Sequence, residues 1–163
     1  MTEQIFFAKV KPSATIPSKL KENAGYDVYA NFNEDYIIIP PHETRMIPTG
    51  IASVFSPDFY FQLFERGSTG SKGIAQRCGV IDSSYRGEWF VPLTNTRNKL
   101  LFITKIYDKF AEDDHNIFYP YNKAICQAVF LPVPKTEIIE MNYEDLKNIS
   151  SERGMNCLGS SNK

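Results

Sequence analysis

Apolar residues fall in short runs, many alternating with polar ones, and each run stops at a cluster of Pro, Gly, Asn, Asp or Ser. That period of two predicts strands over residues 4–10, 36–39, 44–47, 51–55, 60–65, 89–94, 100–107, 124–131 and 136–141. Pro40-Pro41, Pro48-Thr49-Gly50 and Ser56-Pro57-Asp58 supply turn chemistry between them. No segment keeps a helical period for three turns; short helices are expected only over 70–76 and 143–149. The pattern predicts an all-β protein, a distorted jelly-roll barrel or sandwich with at most one or two short helices.

Composition strengthens this reading. The 12 Phe, 9 Tyr and 1 Trp are residues that suit a half-buried pleated surface. A length of 163 residues with 42% hydrophobic and 23% charged residues suits one folded core and excludes a disordered chain. We expect one β-domain over 1–149, with an insert around 97–120, and a polar arm over 150–163. Lys+Arg 18 against Asp+Glu 19 leaves a net charge of -1, so no global field holds a nucleic acid and any polyanion must be gripped locally. No apolar run approaches the ~18 residues of a membrane span. The opening residues carry neither a basic region nor a long apolar one, so no secretory leader is expected. Cys78, Cys126 and Cys157 are odd in number and far apart, which fits reduced thiols in a cytoplasm. With His42 and His115 they make no familiar metal spacing.

Four segments break the strand rhythm by setting small residues beside charged ones. Ala24-Gly25-Tyr26-Asp27-Val28-Tyr29-Ala30 reads alone as a structural turn before a strand. Glu65-Arg66-Gly67-Ser68-Thr69-Gly70-Ser71-Lys72-Gly73 packs hydroxyls, glycines and two cations into one loop ahead of the helix expected at 70–76, a combination suited to phosphate although it lacks Walker A spacing. Gly79-Val80-Ile81-Asp82-Ser83-Ser84-Tyr85-Arg86-Gly87-Glu88 reads as a β-hairpin with a Ser-Ser tip; taken blandly, Asp82 is a turn residue and Tyr85 is packing. The tail from Arg153 to Ser161 repeats the Arg, Gly and Ser recipe, either as a frayed end or as an arm ordered by a ligand.

In order and spacing these segments resemble the motifs of the trimeric dUTP pyrophosphatase (dUTPase) family, across about residues 24–162. Residues 24–30 differ from A-G-x-D-L-x-A only by Val28, and residues 79–87 match G-x-I-D-x-x-Y-x-G at every fixed position. Thr49-Gly50-Ile51-Ala52 supports the register. In the second motif Glu65 replaces Pro and Gly67 replaces Ser, while Arg66 is kept. The fourth motif, G-D-R-I-A-Q, survives as Asn122-Lys123-Ala124-Ile125-Cys126-Gln127, so Gln127 carries over and Ala124 removes an Arg. In the fifth, Arg153, Gly154, Gly159 and Ser160 match, Ser161 stands for Thr, and Leu158 stands for the Phe that covers the uracil.

The resemblance implies hydrolysis of dUTP to dUMP and pyrophosphate with Mg²⁺. Asp82 would activate the water that attacks the α-phosphorus. Arg66, with a hydroxyl from Ser68 or Thr69, and Gln127 would bind phosphates. The third motif, through Gly79 and Ile81, would read uracil, and Tyr85 would pack on the deoxyribose. Arg153, Gly154, Leu158, Gly159, Ser160 and Ser161 would close over the nucleotide. The triphosphate would be the main ligand of Mg²⁺, with Asp27 acting only through water. A homotrimer with shared active sites follows from the same resemblance.

Two alternatives stay open. dCTP deaminases share the fold but need a further catalytic Glu, for which Glu88 is the nearby candidate, and a Ser-Ser-x-Ala-Arg second motif. A regulatory protein is the other, because the segment from Leu93 to Asn122 is longer than in most relatives, some phage members bind host regulators through an insert near here, and Phe118, Tyr119 and Tyr121 cluster in it.

Overall fold

Strand pairing follows the alternation. In β5 (Ile51–Phe55), Ile51, Ser53 and Phe55 are buried while Ala52 and Val54 are not. β1 (Ile5–Lys9) pairs antiparallel with it, Ile5 opposite Phe55. A four-stranded sheet has the order β2 (Gly25–Val28), β13 (Cys126–Pro132), β6 (Phe59–Phe64), β8 (Val80–Ile81). A second runs β11 (Ala111–Glu112), β12 (Asn116–Pro120), β10 (Leu100–Thr104), β3 (Tyr36–Ile39), with β10 and β12 parallel. A third runs β4 (Thr44–Pro48), β9 (Phe90–Asn95), β7 (Ile74–Gln76). This computed structural model describes residues 2–77 and 79–156. It divides into two compact units, Met1–Val133 and Pro134–Lys163.

All these strands lie in the first unit, a distorted jelly roll closed over an aromatic core. Phe61, fully buried, meets Trp89 at 5.2 Å, Phe55 at 5.2 Å and Phe130 at 4.9 Å between ring centroids. Buried rings of this kind each remove on the order of 150–250 Å² from water, which is why so many Phe and Tyr sit in short strands. Trp89 donates its indole N–H to Ser53 Oγ at 3.2 Å, and no buried side-chain N or O among the described residues lacks a partner. Among those residues no helix is long and apolar enough to cross a membrane.

The all-β expectation holds, with local corrections. Residues 74–76 form β7 rather than helix, because Ile74, 2% exposed, pairs through its backbone with Asn95 of β9; the helix α1 is the single turn Gly67–Gly70 just before it. Tertiary pairing overrides local preference there. Residues 136–141 form no strand: Ile138 and Ile139 are 97% and 76% exposed, and no neighbouring strand meets them. The segment 79–88 turns at Asp82 but is not a hairpin, since β8 pairs with β6 whereas β9 pairs with β4 and β7. The stretch 97–120 holds β10, β11 and β12, and β12 is an interior strand, so this stretch is woven into the sheet. In the second unit, α2 (Tyr143–Lys147) starts at Asn142, whose Oδ1 accepts from the Glu144 amide at 2.8 Å.

Candidate active site

Local sequence builds the second-motif corner. Thr69, 1% exposed, closes the α1 turn by accepting from the Arg66 amide at 3.2 Å and donating to the Arg66 carbonyl at 3.0 Å. Its hydroxyl is thereby committed to the backbone, which leaves the exposed Ser68 as the free-facing one. Glu65 accepts from the Gln76 amide at 3.1 Å and fastens the corner to β7. A single helical turn has no macrodipole to speak of, so the helix expected from the sequence adds no field of its own at this corner.

Three motifs meet at that corner. Arg66 reaches Asp27 of β2 with Nε at 3.0 Å and Nη2 at 3.3 Å, and its Nη1 donates to Ser68 Oγ at 3.1 Å and to the Ala124 carbonyl at 3.3 Å. Gln127 of β13 lies opposite Asp27 in register and donates to the Glu65 carbonyl at 2.8 Å. Gly25 is required beside it: a Cβ there would stand 2.7 Å from Gln127 Oε1. Together Asp27, Arg66, Ser68 and Gln127, with Glu22 and Asn23, line an open polar cleft of about 580 Å³.

The third motif forms a different surface. Gly79 and Ile81 line a mostly apolar cleft of about 590 Å³ with Met46, Gln62 and Phe90. Gly79 holds φ 135°, and a Cβ would come within 2.6 Å of Leu63 Cβ. Asp82 is exposed on the following turn, its carbonyl accepting from the Tyr85 amide at 3.1 Å. The Tyr85 hydroxyl donates to the Glu88 carbonyl at 2.9 Å. Glu88, the carboxylate a deaminase would need, instead accepts from the Gly50 amide at 2.7 Å. Among the described residues none lines both clefts.

In the second unit Arg153 and Gly154 lie on an exposed turn, with Arg153 Nε donating to the Asn156 carbonyl at 3.2 Å and Gly154 at φ 55°. Leu158, Gly159, Ser160 and Ser161 lie outside the described residues. Sequence reading did not single out Glu22 or Asn23 for the site; their signal was adjacency to the first motif. The buried Cys126 thiol, at the centre of the fourth motif, has its pKa pushed far up by burial and stays an inert thiol.

Among the described residues no three His, Cys, Asp or Glu side chains gather to hold a metal. Both carboxylate oxygens of Asp27 are engaged by Arg66.

A distorted jelly-roll unit with a polar cleft of mixed charge and a separate apolar one defines an all-β protein with a candidate ligand site. The dUTPase family model matches residues 11–112. The chain is 34% identical over 159 residues to a deoxyuridine 5'-triphosphate nucleotidohydrolase of Nautilia profundicola, covering 95% of this chain and 96% of that one. To the protein of the same name from Leptospira interrogans it is 33% identical over 96 residues, 56% of this chain and 66% of the relative, just under two thirds of that protein's length. The chain belongs to the dUTPase family, a family of dUTP-hydrolysing enzymes. In fold it is similar to the dUTPase of Staphylococcus bacteriophage 80alpha with dUPNHPP, at TM-score 0.78 and 22% identity over 99% of this chain and 100% of that one. It is also similar to a mutant dUTPase from phage phi11 of S. aureus described with a structural Mg(II) ion, at TM-score 0.67 and 18% identity over 86% of this chain and 99% of that one.

Proposed function

We propose that this chain hydrolyses dUTP to dUMP and pyrophosphate, in a homotrimer whose subunits share active sites. The observation that carries the reading is the convergence of Asp27, Arg66, Ser68 and Gln127, from three separated motifs, on one cleft. That cleft offers a guanidinium, a hydroxyl and an amide to phosphate oxygens. The apolar cleft at Gly79 and Ile81 suits a planar base, whose edge the strand's free backbone groups would read. Tyr85, 44% exposed, is available to lie against the sugar and leave no room for a 2'-hydroxyl.

Asp82 is the base in this scheme. It takes a proton from water as the water oxygen bonds to the α-phosphorus and the bond to the bridging oxygen breaks, the pyrophosphate leaving with the electron pair. Mg²⁺ on the triphosphate would neutralise the charge that builds there, with Asp27 reaching it through water. Arg153, Gly154, Leu158, Gly159, Ser160 and Ser161 would close over the nucleotide from an arm. Because phosphate and base residues of one chain line different clefts, a trimer that sets the clefts of neighbouring subunits face to face would complete each site. The product chemistry keeps uracil out of DNA and supplies dUMP for thymidylate synthesis, a role we place in the cytoplasm.

The test is to incubate the protein with dUTP, dCTP, dTTP and UTP in turn, with Mg²⁺, and to identify the products. Pyrophosphate and dUMP from dUTP alone are expected. Ammonia from dCTP would overturn the reading, and so would turnover of none.

A further inference from the structure

Tyr85 is seated on backbone at two points. Its hydroxyl donates to the Glu88 carbonyl at 2.9 Å. Its ring lies against Gly87, where an added Cβ would stand 2.5 Å from the phenol oxygen and 2.7 Å from Cζ. The residue is 44% exposed, too open for core packing to set its direction. That direction depends on where the chain holds Glu88.

Glu88 is held by its own side chain. Its carboxylate spans 38 positions of sequence to accept from the Gly50 amide at 2.7 Å, in a half-buried setting where such a charge-assisted bond is strong. Gly50 is a rigid anchor. Its φ is 67°, its carbonyl accepts from the Val10 amide at 2.7 Å, and an added Cβ would meet Asn31 Oδ1 at 2.8 Å and Ala14 Cβ at 2.9 Å. The fully buried Trp89 continues the seam, its amide donating to the Ile51 carbonyl at 2.8 Å and its carbonyl accepting from Thr49 Oγ1 at 2.7 Å. The turn between β4 and β5 thus carries the end of the 82–88 segment.

We propose that Glu88 is the positioning residue for sugar selection: with its carboxylate on the Gly50 amide and its carbonyl on the Tyr85 hydroxyl, it fixes the phenol that would lie against C2' of the nucleotide. The proposal rests on the reading of the protein as a dUTP hydrolase with Tyr85 against the deoxyribose. Ribose differs there by one oxygen, so refusing it takes a wall held to within about 0.5 Å. An exposed phenol free to turn would give way. One tied through Glu88 to the β4–β5 turn does not, and no bond to the substrate is made or broken at Glu88 itself.

The experiment uses the full chain with dUTP and UTP as substrates and with dUMP and UMP as calorimetric probes, each with Mg²⁺. Glu88→Ala is expected to lower the dUTP over UTP ratio of kcat/KM about tenfold, chiefly by raising UTP turnover, and to lower the preference for dUMP over UMP by a similar factor. Glu88→Asp, one methylene short of the Gly50 amide, is the milder variant and should lower the ratio about three- to fivefold even where Glu88→Ala fails to fold. Glu88→Gln keeps an oxygen for that amide and should restore most of the ratio. Gly87→Ala displaces the phenol without touching Glu88, and because the atoms that must move are the free end of a side chain, the ratio should fall at an unchanged Tm. With Tyr85→Ala already in place, removing Glu88 should change the ratio no further. An unchanged ratio in Glu88→Asp or in Gly87→Ala would overturn the positioning role, and so would an equal drop with Tyr85 already gone. A wild-type chain that prefers dUMP to UMP through Glu88 yet leaves dUTP intact would keep the positioning role and overturn the hydrolase reading instead.

Discussion

Arg66 holds Asp27 with two donors of one guanidinium, Nε on Oδ1 at 3.0 Å and Nη2 on Oδ2 at 3.3 Å. The side chains keep 28% and 35% of their exposure, so the pair is partly screened and its worth lies in geometry more than in Coulomb energy. It ties strand β2 to the α1 corner and leaves Nη1 aimed at Ser68. Arg66→Lys therefore keeps a charge and loses the fork. Turnover of dUTP should fall about ten- to a hundredfold in kcat/KM with little change in Tm. Wild-type kinetics in this variant would mean that the fork positions nothing.

Asp82 carries the chemistry in the proposed mechanism; it is exposed, and its backbone carbonyl accepts from the Tyr85 amide. Asp82→Asn should cut kcat by roughly 10² to 10⁴ and leave nucleotide affinity nearly intact, because the base acts in the transition state. Single-turnover rates paired with binding of a non-hydrolysable analogue separate the two. A variant within tenfold of wild type would remove Asp82 from the base's role.

Much of this was legible in the chain itself, since the runs 51–55, 60–65 and 89–94 alternate and pack as strands, but Gly25 and Asp27, read alone as a turn before a strand, lie inside β2, and the helical turn falls at Gly67–Gly70 instead of 70–76. What was hidden depends on partners distant in sequence. Residues 74–76 look helical until β9 offers its edge, and 136–141 look like a strand until no edge is offered. Thr69 and Ser68 are alike as letters, and only the folded turn shows that one hydroxyl is spent on the Arg66 backbone. The approach of Phe110 to Lys72 joins segments 38 residues apart and leaves no local trace.

Gly79 stands where the backbone must take φ 135° with Leu63 Cβ 2.6 Å from any added Cβ. Both the dihedral and the contact oppose a side chain, and the contact atom is close to the backbone of a buried strand residue. Gly79→Ala should cost about 2 kcal/mol or more, read as a lowered urea midpoint, and should weaken nucleotide binding by distorting the apolar cleft. An unchanged midpoint would show that the turn relaxes freely.

Glu112 accepts from Lys99 Nζ at 2.7 Å and from Arg97 Nη2 at 2.9 Å, and the Lys99 hydrogen bond leads in holding its pKa low. Asp113 Oδ1 accepts from the His115 and Asn116 amides at 2.8 Å and 2.7 Å, which lowers its pKa too, the His115 bond first. Carboxylates with depressed values stabilise the fold fully above their ordinary pKa and lose that contribution as pH falls through the depressed one. The β11–β12 turn should thus loosen only in acid below the ordinary carboxylate range. The amide resonances of His115 and Asn116 should move there, while that of Leu101 in the core stays fixed. A transition at ordinary carboxylate values would contradict the hydrogen-bonded turn.

The division of labour between the clefts gives the sharpest test of a shared site. Arg66, Ser68 and Gln127 line one surface of a chain, while Gly79 and Ile81, followed by Asp82, belong to another. If each active site takes its phosphate residues from one subunit and its base-reading turn from a neighbour, two inactive variants can rescue each other. Arg66→Ala and Asp82→Asn chains, each nearly dead alone, are unfolded together, refolded and assayed with dUTP. Random assembly at equal amounts should leave about a quarter of the sites with both residues intact, and activity near that fraction of wild type. Sites confined within single chains would yield no rescue at all, since every chain in the mixture carries one lesion. Refolding the same variants separately and mixing them only afterwards controls for exchange, and should stay inactive for as long as the oligomers hold together.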